Sequence, residues 1–170
     1  MSDLRRSGDT WATAADGRRY WGLYGAAGLL AFDPAKGVLL QHRADWSDQG
    51  NTWGIPGGAR LEHEDAVSAA LRESFEEAAV PEHCVVPRYS HVLDRIGWTY
   101  TTVIAEVVEP FEARITDAES HALAWVPLHE VDSYPLHPAF ADSWPLLRRV
   151  LENRPRDTEE LLSSGAVTAY

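Results

Sequence analysis

Apolar and polar positions follow several rhythms along this chain, and each predicts a different element. Residues 1–19 are polar and lack a clear period, which predicts a loose arm or one short element anchored by Trp11. Residues 20–32 are largely apolar and read as one long buried strand. The turn Asp33-Pro34-Ala35-Lys36-Gly37 then links it to a strand over 38–43, so a hairpin is expected. Residues 44–52 are polar and predict a loop. From Glu64 or Asp65 to Ala78 there is no Pro or Gly, and alanines and leucines recur among charges, which predicts a helix. Val67, Ala70, Leu71, Ser74 and Ala78 form a stripe at three-to-four spacing that should pack on a sheet, leaving the other side acidic.

After Pro81 the chain reads as extended over 84–93, turns at Asp94-Arg95-Ile96-Gly97, and continues as a central strand over 98–108, rich in β-branched and aromatic residues. A polar loop over 109–121 leads to a short strand over 122–126. Ser143-Trp144-Pro145 has the chemistry of a helix start, with Leu146, Leu147, Val150 and Leu151 as the buried face of that second helix. Residues 159–162 allow a helical turn, and the remainder of 154–170 reads as a tail. Strands on both sides of one helix, with a second helix later, predict an α/β/α sandwich around a mixed β-sheet. The expected organisation is an arm over 1–19, one domain over 20–152 and a tail over 153–170.

Composition narrows the function. The chain has 170 residues, 45% hydrophobic content and a net charge of -11, which suits a single acidic domain. A nucleic-acid polymer needs a basic stripe to replace counterions, so this charge argues against such a partner. Small phosphates remain accessible through placed arginines and a bridging cation. The single cysteine, Cys84, rules out an internal disulfide and reads as a buried, inert thiol in a reducing compartment. No apolar run reaches the roughly 20 residues needed to cross a bilayer, so no membrane partner is expected and a cytoplasmic location is. His63, His91, His121 and His129 lack the spacing of a zinc site.

Glu73, Glu76 and Glu77 stand at i, i+3 and i+4, so their carboxylates share one helix face. Left unneutralised, like charges at that spacing cost roughly 0.2–0.5 kcal/mol per pair, and they oppose the macrodipole near the helix end. Arg72 offsets only part of this charge, whereas a hard divalent cation takes several carboxylates directly. A solvated acidic face is the plainer alternative for the glutamates considered alone. Just upstream, Gly57 and Gly58 form a loop in which missing Cβ atoms let backbone approach a phosphate or metal.

Taken as a whole, the stretch resembles the Nudix box: Gly58, Glu64, Arg72, Glu73, Glu76, Glu77 and Val80 fall on its pattern without insertion, preceded by Trp53-Gly54-Ile55-Pro56-Gly57. Two positions depart from it. Ser74 stands at a usually apolar position, and Ala79 replaces the glycine that ends the helix, so either the turn differs or strain is accepted. The resemblance implies the same α/β/α fold over roughly residues 20–152. It also implies Mg²⁺, with Mn²⁺ as a substitute, held by Glu73, Glu76, Glu77 and the backbone carbonyl of Gly57. Glu119 is the first choice for one further ligand from the late loop. Catalytic roles are expected of Glu73, preferred as the base, of Glu76, and of Arg72, which with Glu64 would fix the carboxylate rotamers.

The expected activity is hydrolysis of the pyrophosphate bond of a nucleoside diphosphate linked to another group X, giving a nucleoside monophosphate and phosphate-X. Nucleoside triphosphates, oxidised ones included, nucleotide sugars and dinucleotides are all candidate substrates. Arg43, Arg60 and Arg95 are candidate phosphate contacts. Trp46, Trp53, Trp98 and Tyr100 are aromatics that suit either a base or the core. The rival reading is a nucleotide-binding sensor or regulator on the same fold whose chemistry has lapsed. Protein partners are open, a homodimer among them.

Overall fold

A computed structural model describes residues 6–170. The N-terminal part opens with a small hairpin of β1 (Trp11–Thr13) and β2 (Arg19–Trp21). Trp11 meets Trp21 edge-on at 5.5 Å, so it anchors this hairpin to itself. The hairpin is tied to the rest by Tyr20 stacked on Trp98 at 4.6 Å, with the Trp98 indole donating to the Gly22 carbonyl. The expected single strand over 20–32 is therefore two. Gly22 and Gly25, at φ 109 and 88, turn the chain between β2 and β3 (Ala26–Asp33). A Cβ on Gly22 would lie 2.5 Å from the Gly25 carbonyl oxygen, a turn that apolar content alone conceals.

The expected turn leads from β3 into β4 (Gly37–Arg43), but the two strands pair only at Phe32↔Val38 and Asp33↔Gly37. They then diverge to other partners. Next come β5 (Trp53–Gly54), β6 (Gly57–Ala59) and helix α1 (Ala66–Ala78), followed by β7 (Val85–Asp94), β8 (Thr99–Val107) and β9 (Ser120–Val126). β3 runs parallel to β8 and antiparallel to β6, while β4 is antiparallel to β5 and β9. The sheet is mixed, as the pattern predicts.

The second helix, α2 (Pro138–Leu151), starts earlier than Ser143-Trp144-Pro145 suggests. His137 caps it, accepting from the Ala139 N–H, Pro138 opens it, and Pro145 sits inside it. Ser143 is buried rather than capping. Proline here removes one helix hydrogen bond, and burial of Phe140, Trp144, Leu147, Val150 and Leu151 offsets that loss. Beyond residue 152, where a tail is expected, stand α3 (Pro155–Ser163) and β10 (Thr168–Ala169). β10 adds to the outer edge of β7, completing the order β10-β7-β8-β3-β4-β5.

Alternation along the strands builds two cores. Leu30, Val38, Leu40, Ile104 and Val126 face α2, with Trp144, Leu147 and Val150. Ala27, Leu29, Ala31, Leu39, Val103 and Ala105 face α1, whose contribution is Ala69, Ala70 and Ala78. Alanine on both sides lets α1 lie close to the sheet, which brings its C-terminal carboxylates against the ends of β4 and β6. Among the described residues no helix is long and apolar enough to cross a membrane.

Candidate active site

Helix α1 begins where Asp65 accepts a hydrogen bond from the Ser68 N–H at 2.8 Å. It ends at Ala79, whose φ of 55 and ψ of 34 are left-handed, with its N–H bonded to the Phe75 carbonyl at 3.0 Å. The chain thus keeps the turn that glycine would make easily and accepts strain on a Cβ instead. Glu73, Glu76 and Glu77 keep the positions on the helix that their spacing predicts.

Glu77 is buried, 7% exposed, and lies under the β5–β6 segment. Its Oε2 accepts from the Gly57 N–H at 3.0 Å and from Gln41 Nε2 at 3.3 Å. Burial, then the nearby Glu73, Asp117 and Glu119 charges, push its carboxyl up to about 8. Carboxylate oxygens of Glu77, Asp117 and Glu119 all lie within 4.8 Å of one another. Three acids from a helix and a loop, with a buried member that resists ionisation, form a donor set that pairs with no positive side chain among the described residues. A hard divalent cation fits it.

Glu73 and Glu76 stand apart from that trio. Glu73 is mostly buried, and burial holds its carboxyl above the usual range despite Arg72. Arg72 Nη1 donates to its Oε1 at 2.5 Å. Gly58 makes room for it, since a Cβ there would lie 2.7 Å from the Glu73 carboxyl carbon. Glu76 is the more exposed, paired with Arg6 at 2.8 Å and Arg72 at 3.6 Å. Arg72 also grips Glu64 with a fork, Nε to Oε1 at 2.8 Å and Nη2 to Oε2 at 2.9 Å, and donates to the Ala59 carbonyl. That pairing holds Glu64 below the usual carboxylate range. One guanidinium therefore locks the glycine loop to the helix.

The candidate arginines of the loops are otherwise engaged. Arg43 donates to the Asp48 carbonyl, Arg60 to the Glu64 carbonyl, and Arg95 lies 3.7 Å from Asp142. Of the aromatics, Tyr100 is half-buried with its hydroxyl against Gly28, and Trp53 stacks on His42 at 4.7 Å, while Trp46 is exposed. Asp117, Gln41, Ser120 and Arg6 were not singled out by sequence. Asp117 was one acid among several in a polar loop. Gln41 carries a usable signal, a polar residue directly after the apolar run Val38-Leu39-Leu40, on the face that Leu39 turns toward α1. Arg6 carried none.

Comparison with known proteins identifies the family. Residues 23–150 match the NUDIX domain family. The chain belongs to the Nudix family. A Mycobacterium tuberculosis (strain H37Rv) protein described as a candidate 8-oxo-dGTP diphosphatase is 46% identical over 155 residues, 85% of this chain and 71% of that protein. A Bifidobacterium longum fusion of a nucleoside triphosphate pyrophosphatase with a Nudix hydrolase is 40% identical over 156 residues, 85% of this chain but 32% of the fusion. Among solved structures, the Mycobacterium smegmatis Nudix hydrolase RenU superposes with a TM-score of 0.78 at 45% identity, covering 87% of this chain and 98% of that one. A Caenorhabditis elegans Ap4A hydrolase, at 22% identity and a TM-score of 0.61 over 75% and 96% of the two chains, shares the fold. With its α/β/α sandwich and box in place, this Nudix protein is a pyrophosphohydrolase.

Proposed function

We propose that the chain hydrolyses the phosphoanhydride of a nucleoside diphosphate linked to a further group, releasing a nucleoside monophosphate and phosphate-X, with a divalent cation, Mg²⁺ or Mn²⁺, as cofactor. The observation that carries the reading is the Glu77, Asp117 and Glu119 cluster, gathered within 4.8 Å around a buried acid. These three carboxylates would hold the cation. Glu73, Glu76 and the Gly57 carbonyl would supply further oxygen ligands. When bound, the cation shields phosphate oxygens and makes water a better nucleophile.

The rest of the chemistry belongs to the chain's own side chains. Arg72 holds Glu73 by Oε1, leaving Oε2 beside Gly58 to take a proton from the attacking water. Because burial raises the Glu73 carboxyl, it is a better base than an exposed glutamate. Glu64 keeps Arg72 in place, so the base is oriented through a rigid pair. Arg6, beside Glu76, balances charge at the open side of the site.

Among substrates, a nucleoside triphosphate, including one oxidised on its base, is the first choice, supported by the name that the M. tuberculosis relative carries. Nucleotide sugars and dinucleotides remain in the test. The experiment is Mg²⁺-dependent phosphate release from a panel of these three groups, with Glu77→Gln as control. Turnover confined to one group and lost in the variant supports the reading and selects the class. Binding across the panel without turnover, alike in both proteins, overturns it in favour of a lapsed sensor.

A further inference from the structure

Strands β4 and β9 pair in regular register from Val38↔Val126 to His42↔Ala122, and then the register shifts so that Arg43 stands opposite Ser120. His121 is the extra residue. In a regular ladder, side chains alternate between faces, so Leu39, Gln41 and Arg43 would share the α1 face with Trp125, Leu123 and residue 121. The bulge brings Ser120 to that face in place of His121.

What the bulge delivers is a hydrogen-bonded bridge. A primary amide has two N–H donors. Gln41 Nε2 meets the Ser120 hydroxyl at 2.6 Å and Glu77 Oε2 at 3.3 Å. The Ser120 hydroxyl in turn donates to Asp117 Oδ1 at 3.2 Å. Gln41 is 2% exposed and Ser120 7%, so water does not replace these bonds readily. β4 is an interior strand, held at Gln41 by Gly54 on one side and Leu123 on the other, so the amide projects from fixed backbone.

We propose that Gln41 and Ser120 are positioning residues, which set the separation between Glu77 on α1 and Asp117 on the late loop and so shape the cation site before the cation arrives. This rests on the cation reading given above. Backbone hydrogen bonds already tie this loop down, from the Arg114 N–H to the Ala78 carbonyl, from the Thr116 N–H to the Glu77 carbonyl and from the Ala44 N–H to the Glu119 carbonyl. The bridge therefore governs the direction of the Glu77 and Asp117 carboxylates, which repel each other when ionised. Three hydrogen bonds in series, Gln41 to Glu77, Gln41 to Ser120 and Ser120 to Asp117, fix the two carboxylates relative to each other. The neutral amide and hydroxyl do so without adding a cation that would compete with the metal.

The test is Mn²⁺ binding to substrate-free protein, followed by electron paramagnetic resonance, for wild type, Gln41→Leu, Ser120→Ala, Ser120→Thr and the Gln41→Leu/Ser120→Ala pair. Thermal unfolding in EDTA identifies the folded variants. Leu fills the volume of Gln without its donors, and Thr keeps the hydroxyl. Gln41→Leu and Ser120→Ala are expected to weaken Mn²⁺ binding by about 10- to 100-fold, with Ser120→Thr restoring most of it. The double variant should lose no more than the weaker-binding single one, because both changes cut one bridge. Should Gln41→Leu fail to fold, the Ala and Thr comparison at Ser120 decides alone. Wild-type affinity in both single variants, or losses that add in the double, would overturn the bridge and leave the cation reading standing. Absence of Mn²⁺ binding in wild type would overturn both.

Discussion

Removing the charge of Glu77 should stabilise the metal-free protein, and the gain should grow with pH. In the fold its carboxyl is pushed from the ordinary 4.5 up to about 8 by burial and by the neighbouring acids. A group with a raised folded value stabilises fully below the unfolded value, and that contribution is lost as pH rises through the folded one. At pH 7 the group sits about 2.5 pH units above its unfolded midpoint. At 1.36 kcal/mol per unit, ionising it or keeping it protonated costs the fold roughly 3 kcal/mol. Glu77→Gln retains an oxygen for the Gly57 N–H but has nothing to ionise. Denaturant unfolding of both proteins in EDTA, from pH 4 to 9, should show a stability difference that is flat below about pH 4.5. It should climb in favour of the variant and level off above about pH 8. Excess Mg²⁺ should nearly close the gap at pH 7 by stabilising wild type alone, by about 2.7 kcal/mol at a hundred times its dissociation constant. Parallel curves for the two proteins in EDTA would refute the reasoning, because they would mean that Glu77 ionises in the fold as freely as in the unfolded chain.

Other changes read separate parts of the site. Arg72→Ala leaves Glu64 and Glu73 without their shared partner, and should cost on the order of 3 kcal/mol in urea unfolding along with most of the turnover. Gly58→Ala drives a Cβ into the Glu73 carboxyl, so kcat should fall at least ten-fold while the far-ultraviolet circular dichroism stays unchanged. Ala79→Gly relieves the left-handed strain against a smaller loss in chain entropy, and a gain of about 0.5–1 kcal/mol in unfolding free energy is expected.

Local rules made much of this molecule legible. Helix α1 was readable because its signals agree: Asp65 as cap, no breaker until Pro81, and a small-residue stripe on one side. The glutamate spacing carried its own chemistry, since a helix converts i, i+3 and i+4 into one face. Elsewhere two signals competed. The Ser143-Trp144-Pro145 start was overridden by the packing of Trp144 and Leu147, which keeps the helix going through a proline. The run over 20–32 hid a turn because Leu23 and Tyr24 are apolar yet half-exposed. Asp117 and Gln41 reach Glu77 through strand pairing between residues about 80 positions apart in the chain, a contact with no local trace.

Strand β10 has a consequence for how the chain is made. β7 exposes an unpaired backbone edge, and along its first half that edge is blunted by Pro87 and by a bulge between Pro87 and Tyr89. Its second half is covered by β10, through Thr168↔Ser90 and Ala169↔Tyr89, with the Tyr170 N–H reaching the Arg88 carbonyl. During ribosomal synthesis Thr168 and Ala169, the partners of Ser90 and Tyr89, emerge long after β7 itself. Until then a nascent β7 offers its edge to neighbouring chains, and β10 acts as a late-arriving guard against aggregation.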